Sequence, residues 1–542
     1  MTVAKDMDDN PFRGLTYAQS IRYIVDAYGD KKALTFQGRS YTFRDLKREA
    51  DLASARIAAL GVQPGETIGI WAPNRPEFAF LWFGAAQIGV IPVIINTRLK
   101  RPEFEYQIRQ SKSVVVFVPG TGSFRDFAGE LADSQPSVVS GELPSAPFPD
   151  LRAVVALDTV PERFSNIINW QSLGENIPMP AYNTDPDSPA LIAYSSGTTS
   201  LPKGAMLSHC IWRKAYDGGG YLKLTPADSL YLTVPLFGVL GCLNGLLMFW
   251  SRGCEIHLRE RFDEQDFITS VSREKCTFAH FLPTMIERIA KHPAYDKDKF
   301  RSLRGGVILS SQSSHFLRAI DVLGANGFTS GYGLTESTGL VSRCYLDDPL
   351  EDRLGHQGWP LPDCPIRIVD PDTKADLPQG QEGEIAIGGY SVMLGYFDKP
   401  VETAACISED GWLFSGDLGV VLDTGALKFL RRVKDGYKHK GFNVSTTEVE
   451  AAIQTFPGVH MAAVVGVPDP EFGETGVAFV IPDEDVDLSE DQLLEYLSAQ
   501  VSTFKVPKAV FIVNEFPLTG GTDKVQKFKL RELAMSKLGI SG

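Results

Sequence analysis

The residues able to do chemistry in this chain gather in short runs of small, hydroxylated and charged side chains. The first run is Tyr194 to Gly204, YSSGTTSLPKG, with six hydroxyl side chains, two glycines and one lysine directly after the apolar Ala190 to Ala193. A strand that stops in such a loop presents backbone N–H groups, hydroxyl oxygens and an ammonium, which suits a polyphosphate. It is not a Walker A loop, which needs Gly before the Lys and Ser or Thr after it; Pro202 and Gly204 hold those places. Magnesium therefore needs a ligand elsewhere. A Ser/Thr/Gly surface turn has the same composition, so the decision rests on other segments.

Four further segments carry chemistry. Ser330 to Ser337, SGYGLTES, sets an aromatic between glycines beside a hydroxyl and a carboxylate. Its ring can stack on a base, and its acid can hold Mg²⁺ against phosphate oxygens. Asp410 to Leu418, DGWLFSGDL, delivers Asp417 after a glycine turn, where a carboxylate can accept both hydroxyls of a ribose. Arg432 to Asn443, RVKDGYKHKGFN, and Pro517 to Gln526, PLTGGTDKVQ, add the basic residues. By position alone Lys524 is hard to tell from Lys527 and Lys529, because solvated lysines are common in C-terminal helices.

The elements that position these segments are legible from periodicity and caps. Thr42 to Asp45 forms a capping box, and Leu46, Ala50, Ala53, Ile57 and Leu60 follow at helical spacing before Gly61. Short apolar strands recur at Thr67 to Trp71, Val114 to Val118 and Ala153 to Leu157, interleaved with helical patterns, which predicts α/β layering. Leu230 to Ser251 is uncharged and long enough to span a bilayer. It contains Pro235, Gly238, Gly241, Asn244 and Gly245 and reads as a strand, a turn and a buried helix. Glu77 to Arg98, interrupted by Gly89 and Pro92, reads as a helix followed by a strand at Val93 to Ile95.

At 542 residues the chain exceeds a single hydrophobic core, and 43% apolar residues suffice to fill two or more. The texture changes near Arg432. Beyond it come boxed helix starts at Ser445 and Ser489, a β-rich stretch from Ala462 to Ile481 and a strand at Ala509 to Val513. These make a small α+β domain over 433–542 behind a larger one over 1–432. A net charge of −14 argues against general nucleic-acid binding. Seven cysteines without a CxxC pair indicate neither a disulfide framework nor a zinc site and suit a reducing, cytoplasmic setting. The N-terminus lacks an apolar signal region, and no integral membrane segment is expected. Assembly into a homo-oligomer is left open.

In this order and combination, the five segments resemble the adenylate-forming superfamily of acyl-CoA synthetases, in particular AMP-forming fatty-acyl-CoA synthetases and 4-coumarate-CoA ligases. Glu382 to Tyr396 also resembles that family's GEI…GY segment, and the likeness runs from about Tyr41 to Arg531. The resemblance implies a large N-terminal adenylation domain of several layered subdomains and a small mobile C-terminal lid. It implies ligation of a hydrophobic carboxylic acid to coenzyme A through an acyl-adenylate, with ATP and Mg²⁺ required and AMP and pyrophosphate released. It further implies that Ser195, Ser196, Gly197, Thr198, Thr199 and Lys203 wrap the β- and γ-phosphates. Tyr332, between Gly331 and Gly333, packs on adenine; Thr335 touches the α-phosphate and Glu336 holds the metal. Ser313 belongs to the segment lining the nucleotide, and Asp417 and Arg432 take the ribose. Lys524 bridges ribose and carboxylate during adenylation, and Lys434 is the hinge. Rotation about it withdraws Lys524 and brings Lys438, Lys440, Gly441 and Phe442 to the adenylate and the pantetheine path.

The chain departs from that pattern in three places. Gly238 follows Phe237 where many relatives carry His, which alters the wall beside the acyl group. Ser311 to Ser314, SQSS, replaces the usual Gly-Ala-Ala-Pro and is bulkier and more polar. The usual Thr-Gly-Lys is Thr522-Asp523-Lys524, one residue further from Pro517. Phe237, Gly238 and Val239, with Phe281, Leu282 and Met285 nearby, predict an uncharged acyl pocket, and no basic residue stands out for a second carboxylate. Three alternatives compete: loading of a carrier-protein thiol through the same tunnel, a ligand-binding pseudoenzyme, and a luciferase-type oxygenase.

Overall fold

A computed structural model describes residues 9–540 apart from 122, 161–163, 165, 176, 196–200, 311–312, 330, 434–435, 440–441, 485 and 519–524. Two large, mostly parallel sheets with helices packed on them form the N-terminal part, as the alternation of apolar strands and amphipathic helices dictates. One has eight strands in the order Gly395–Tyr396, Lys203–Ser208, Pro189–Ser195, Ile91–Ile94, Thr67–Ile70, Val115–Val118, Ala153–Ala156, Ile168–Asn169. Its last six strands run parallel, and the first two join antiparallel. The other has seven strands in the order Gly327–Thr329, Gly305–Val307, Phe278–Ala279, Ser229–Leu232, Glu255–Leu258, Lys32–Phe36, Arg39–Thr42, parallel except for the final hairpin.

The main core lies between these sheets. Leu34, Leu232 and Ile256 of the seven-stranded sheet share it with Ile68, Ile70 and Leu191 of the eight-stranded one. Successive side chains of a strand point to opposite faces, so Val93, Val116, Val118 and Ile192 fill a second core on the far side with Trp71, Phe104 and Ile108. Helix Phe43–Ala59 has the predicted reciprocal box: Thr42 Oγ1 accepts from Asp45 N at 3.1 Å, and Asp45 Oδ2 accepts from Thr42 N at 2.9 Å. Such a cap is worth about 1 kcal/mol.

The uncharged stretch after Leu230 is a strand, Ser229–Leu232, a turn and a buried helical run from Val239 to Trp250, as read from its glycines and proline. Its middle, Cys242–Leu247, is a π-helix, a widened turn with i→i+5 bonds that often marks a functional site. Among the described residues no helix is long and apolar enough to cross a membrane.

The strands beyond Arg432 form a separate sheet ordered Phe442–Ser445, Gly436–His439, Gly473–Pro482, Val459–Asp469, with Ala509–Ile512 also paired to Gly473–Pro482. Helices Thr446–Gln454 and Glu490–Gln500 cover one face and Lys527–Leu538 the other, giving this region its own two-sided core. Ser445 and Ser489 cap the first two helices by accepting from Glu448 N and Gln492 N. Lys527 bonds Glu450 Oε1 at 2.7 Å and Thr446 Oγ1 at 2.8 Å, so the lysine nearest Lys524 in the sequence is tied to the domain's own frame.

Candidate active site

In parallel α/β sheets ligands dock beyond the carboxyl ends of the strands, and here the chemistry-bearing segments leave those ends. Ser229–Leu232 leads to Phe237 and Gly238, Gly305–Val307 to residues 311–314, Gly327–Thr329 to Gly331–Glu336, and Pro189–Ser195 to the hydroxylated loop. Residues as far apart in sequence as Ser195 and Glu336 therefore share one cleft.

Ser195 and Lys203, on either side of the hydroxylated segment, are paired across antiparallel strands as the feet of a hairpin. Both feet are anchored to helix Arg101–Gln110: Tyr194 Oη donates to Gln110 Oε1 at 2.5 Å, and Tyr106 Oη donates to the Pro202 carbonyl at 3.1 Å. Ser196, Gly197, Thr198 and Thr199 lie outside the described residues.

Lys203 faces a group that composition alone did not single out. Gly395–Tyr396 pairs with the edge of the same hairpin, Tyr396 standing opposite Ala205, and the Lys203 ammonium lies over the Tyr396 ring, 4.7 Å from its centroid. Tyr396 Oη in turn donates to Glu336 Oε1 at 2.8 Å. Burial, reinforced by the Glu336 charge, pushes the Tyr396 phenol up, so it stays a donor and holds the carboxylate in place. Glu336 and Thr335 sit on the single 3₁₀ turn Thr335–Ser337, closed by Gly339 N bonding Leu334 O at 2.7 Å. The turn fits because Gly333 has no side chain: a Cβ there would stand 2.6 Å from both N and Cα of Leu340.

A second cluster gathers the groups expected at the nucleoside. Asp417 and Arg432 are directly opposed on strands Leu413–Val421 and Leu427–Arg432, with Arg432 Nε 3.5 Å from Asp417 Oδ1. Tyr332 Oη donates to the other oxygen, Asp417 Oδ2, at 2.8 Å, and its ring stacks on Phe429 with centroids 5.9 Å apart. Asp417 is buried, so both partners stabilise a charge that burial alone would disfavour. Burial and the neighbouring Asp417 charge push the Tyr332 phenol well up. Phe429 is a further residue that sequence reasoning missed; its position in the arginine-bearing strand was the available signal.

On the acyl side Asn74 holds the turn after Ser229–Leu232 at both ends, donating to Val234 O at 3.1 Å and accepting from Leu236 N at 2.8 Å. Phe237, Gly238, Val239 and Leu240 are partly exposed along it. A Cβ on Gly238 would meet only Pro235 O, at 3.6 Å, so the missing side chain leaves open space. Ser313 opens helix Ser313–Leu323, with its hydroxyl donating to Leu354 O at 3.1 Å, whereas Ser311 lies outside the described residues.

One basic residue that the sequence reading did not single out adjoins the Phe237–Leu240 segment. Lys214 in helix Ile211–Tyr221 is fully buried, with Nζ 2.6 Å from Asn244 Oδ1 in the π-helix. A signal was present in WRKAYDGGGY: Gly218, one turn on, shares the face of Lys214 and packs so closely that a Cβ would meet Met248 Cε at 2.8 Å. A lysine on such a face cannot reach water.

In the C-terminal region Lys438 and Phe442 stand on the paired strands Gly436–His439 and Phe442–Ser445. Lys434, Lys440, Gly441 and Lys524 lie outside the described residues.

The fold and this cleft define a nucleotide-using α/β enzyme with a separate C-terminal domain, and comparison with known proteins gives the family. Residues 21–397 match the AMP-binding enzyme family and residues 448–521 the AMP-binding enzyme C-terminal domain. The chain is 31% identical to 4-coumarate–CoA ligase 1 of Solanum tuberosum over 93% of its length and 90% of that protein's. It is 28% identical to the mitochondrial medium-chain acyl-CoA ligase ACSF2 of Danio rerio over 98% and 91%. In fold it is similar to ATP-bound MatB from Rhodopseudomonas palustris, with TM-score 0.83 and 24% identity over 96% of this chain and 99% of that one. The chain belongs to the AMP-binding enzyme family, as an adenylate-forming ligase of the acyl-CoA synthetase type.

Proposed function

We propose that this enzyme joins a carboxylic acid with a largely apolar skeleton to coenzyme A in two displacements. The acid's carboxylate attacks the α-phosphorus of ATP and pyrophosphate leaves; the thiol sulfur then attacks the acyl carbon and AMP leaves. A carboxylate is a poor electrophile at neutral pH, so an AMP leaving group precedes thioester formation. The first step is chiefly charge stabilisation at phosphorus.

The observation that carries this reading is the convergence of Lys203, Tyr396 and Glu336 at the foot of the hydroxylated hairpin, with a Tyr332, Asp417 and Arg432 cluster built from the same cleft's remaining segments. Lys203 and the hairpin would hold the β- and γ-phosphates, Thr335 the α-phosphate, and Asp417 with Arg432 the ribose. Magnesium binds through one or two carboxylates plus phosphate oxygens and water, and the donor set fits it. Glu336 offers one hard carboxylate, and its Oε2 accepts no hydrogen bond among the described residues. Bound there, the metal would neutralise charge on the polyphosphate.

We assign Lys524 to the adenylation step and the boundary at 432/433, with Lys434 as hinge, to the change between steps. Rotation withdraws Lys524 and presents Lys438, Lys440, Gly441 and Phe442 to the thioester-forming thiol. The seven cysteines are free thiols, which favours a cytoplasmic setting.

The test is acid-dependent ATP–pyrophosphate exchange, followed by AMP release with CoA over a panel of aliphatic and aromatic acids. Lys524→Ala should lower exchange by about 10²-fold, typical of removing one group that stabilises transition-state charge. Exchange that survives this substitution removes Lys524 from adenylation, and no AMP release with any acid overturns the ligase reading.

A further inference from the structure

Two basic side chains are buried near the Phe237–Leu240 segment with no acid to match them among the described residues. Lys214 and Arg343 are both fully buried, and neither makes an ion pair among the described residues. An ammonium has three N–H donors; Lys214 spends one on Asn244 Oδ1. Among the described residues Arg343 Nη1 reaches only the Met248 sulfur, at 3.4 Å, and its Nε has no partner. Unpaired buried charge is costly, and groups kept in that state are explained by a ligand more readily than by stability.

Their neighbours adjoin the segments assigned to the cleft. Asn244 Nδ2 donates to Gly339 O at 3.1 Å, which joins the π-helix to the loop following Glu336, and its backbone oxygen lies 3.0 Å from His280 Nε2. A Cβ on Gly339 would meet Val239 Cβ at 3.0 Å, so this junction lies beside the partly exposed Phe237–Leu240 wall. Arg343 stands opposite exposed Gly331 in an antiparallel pair, its Nε 3.6 Å from where a Gly331 Cβ would be.

The other titratable groups facing Lys214 supply no anion. Burial pushes the thiols of Cys210 and Cys364 up to about 11 and that of Cys242 to about 12, so all three stay neutral. Burial also pushes His280 down to about 4. The Lys214 ammonium itself is pushed down to about 7 by burial and by the Arg343 charge.

We propose that Lys214 and Asn244, backed by Arg343, form a polar end to the acyl cleft, and that the acid activated here carries a second carboxylate at the far end of its apolar skeleton. This rests on the ligase reading above, because it assigns the substrate of that same cleft. A carboxylate there would take hydrogen bonds from Lys214 and Asn244 and supply the missing counter-charge.

The test uses succinate, adipate, suberate and sebacate against butyrate, hexanoate, octanoate and decanoate, titrated calorimetrically into the full-length protein in two buffers of different ionisation enthalpy at about pH 8. Lys214, titrating near 7 in the free protein, is mostly neutral there. Pairing with a carboxylate raises its pKa, so a bound diacid should take up close to one proton and a monoacid none. The best diacid should bind at least about tenfold more tightly than the monoacid of equal length, by the usual weight of a charge-assisted bond.

In Lys214→Met the proton uptake should vanish and the diacid-to-monoacid affinity ratio should fall to about one. Lys214→Gln, which keeps a donor for Asn244 without the charge, should give the same loss should the Met variant fail to fold. Equal binding of diacids and monoacids by the wild type, absence of proton uptake, or a preference unchanged in both variants overturns the proposal. Adenylation of monoacids alone overturns it and keeps the ligase; proton-linked diacid binding without AMP or pyrophosphate release does the reverse.

Discussion

On the nucleotide side of the cleft the ionisable groups are matched inside the protein, whereas on the acyl side they are not. Glu336 has Tyr396, with Lys203 over the same ring, and Asp417 has both Tyr332 and Arg432. Lys214 has one neutral amide, and Arg343 has a sulfur. Steric freedom follows the same division: Gly333 is closed in by the Leu340 backbone, while Gly238 faces space. A part that handles an invariant ligand can be preorganised down to its hydrogen bonds. A part that selects among acids is completed by the acid.

The largest effect expected from breaking this division is at Glu336. Glu336→Gln keeps an oxygen to accept from Tyr396 but removes the charge that would face the metal. Pyrophosphate exchange should fall by about 10²- to 10³-fold at saturating acid, the usual cost of losing one preorganised charge stabiliser. Melting should be almost unaffected. A loss under about tenfold would make Glu336 an anchor for Tyr396 and leave the metal without its protein ligand.

Gly333→Ala comes next. The added methyl must displace the Leu340 backbone or the Thr335–Ser337 turn, since the nearest atoms are main chain and cannot rotate aside. Overpacking of this kind costs about 1–3 kcal/mol, and here the strain falls on Thr335 and Glu336. Exchange should drop about ten- to a hundredfold, with the loss concentrated in ATP affinity and turnover and not in selectivity between acids. Altered acid selectivity with normal ATP use would contradict the division.

The nucleotide side was the more legible half because its chemistry is carried by local runs. SGYGLTES, LFSGDL and the hydroxylated loop each present several functional groups within one turn, and the strand ends that gather them follow from the parallel topology. Tyr396 stands in the GEI…GY segment, and only strand pairing brings it from 60 residues away onto Glu336. Lys214 was harder still. In one dimension it sits in a helix of mixed polarity where lysines are usually solvated, and in the fold it is buried with its ammonium against Asn244 of the π-helix. The capping boxes and strand positions were readable because they depend on neighbours in sequence. The charge state of a lysine depends on everything packed around it.

The smallest effect, and the sharpest discrimination, should come from Gly238. Its φ of −108° suits any L-residue, and a Cβ meets only Pro235 O at an ordinary 3.6 Å. Gly238→Ala should therefore shift stability by no more than about 0.5 kcal/mol and leave exchange with small acids within about twofold. Gly238→His fills the space beside Phe237. It should lower kcat/KM for branched or aromatic acids by about 10-fold while sparing straight chains, on the scale of one poorly accommodated group in a pocket. The readout is the ratio between acids in one exchange assay, which a general loss of folding cannot move. An unchanged ratio would mean that the open volume at Gly238 is not used by the acyl group, and selection would then rest on the polar end at Lys214 and Asn244 alone.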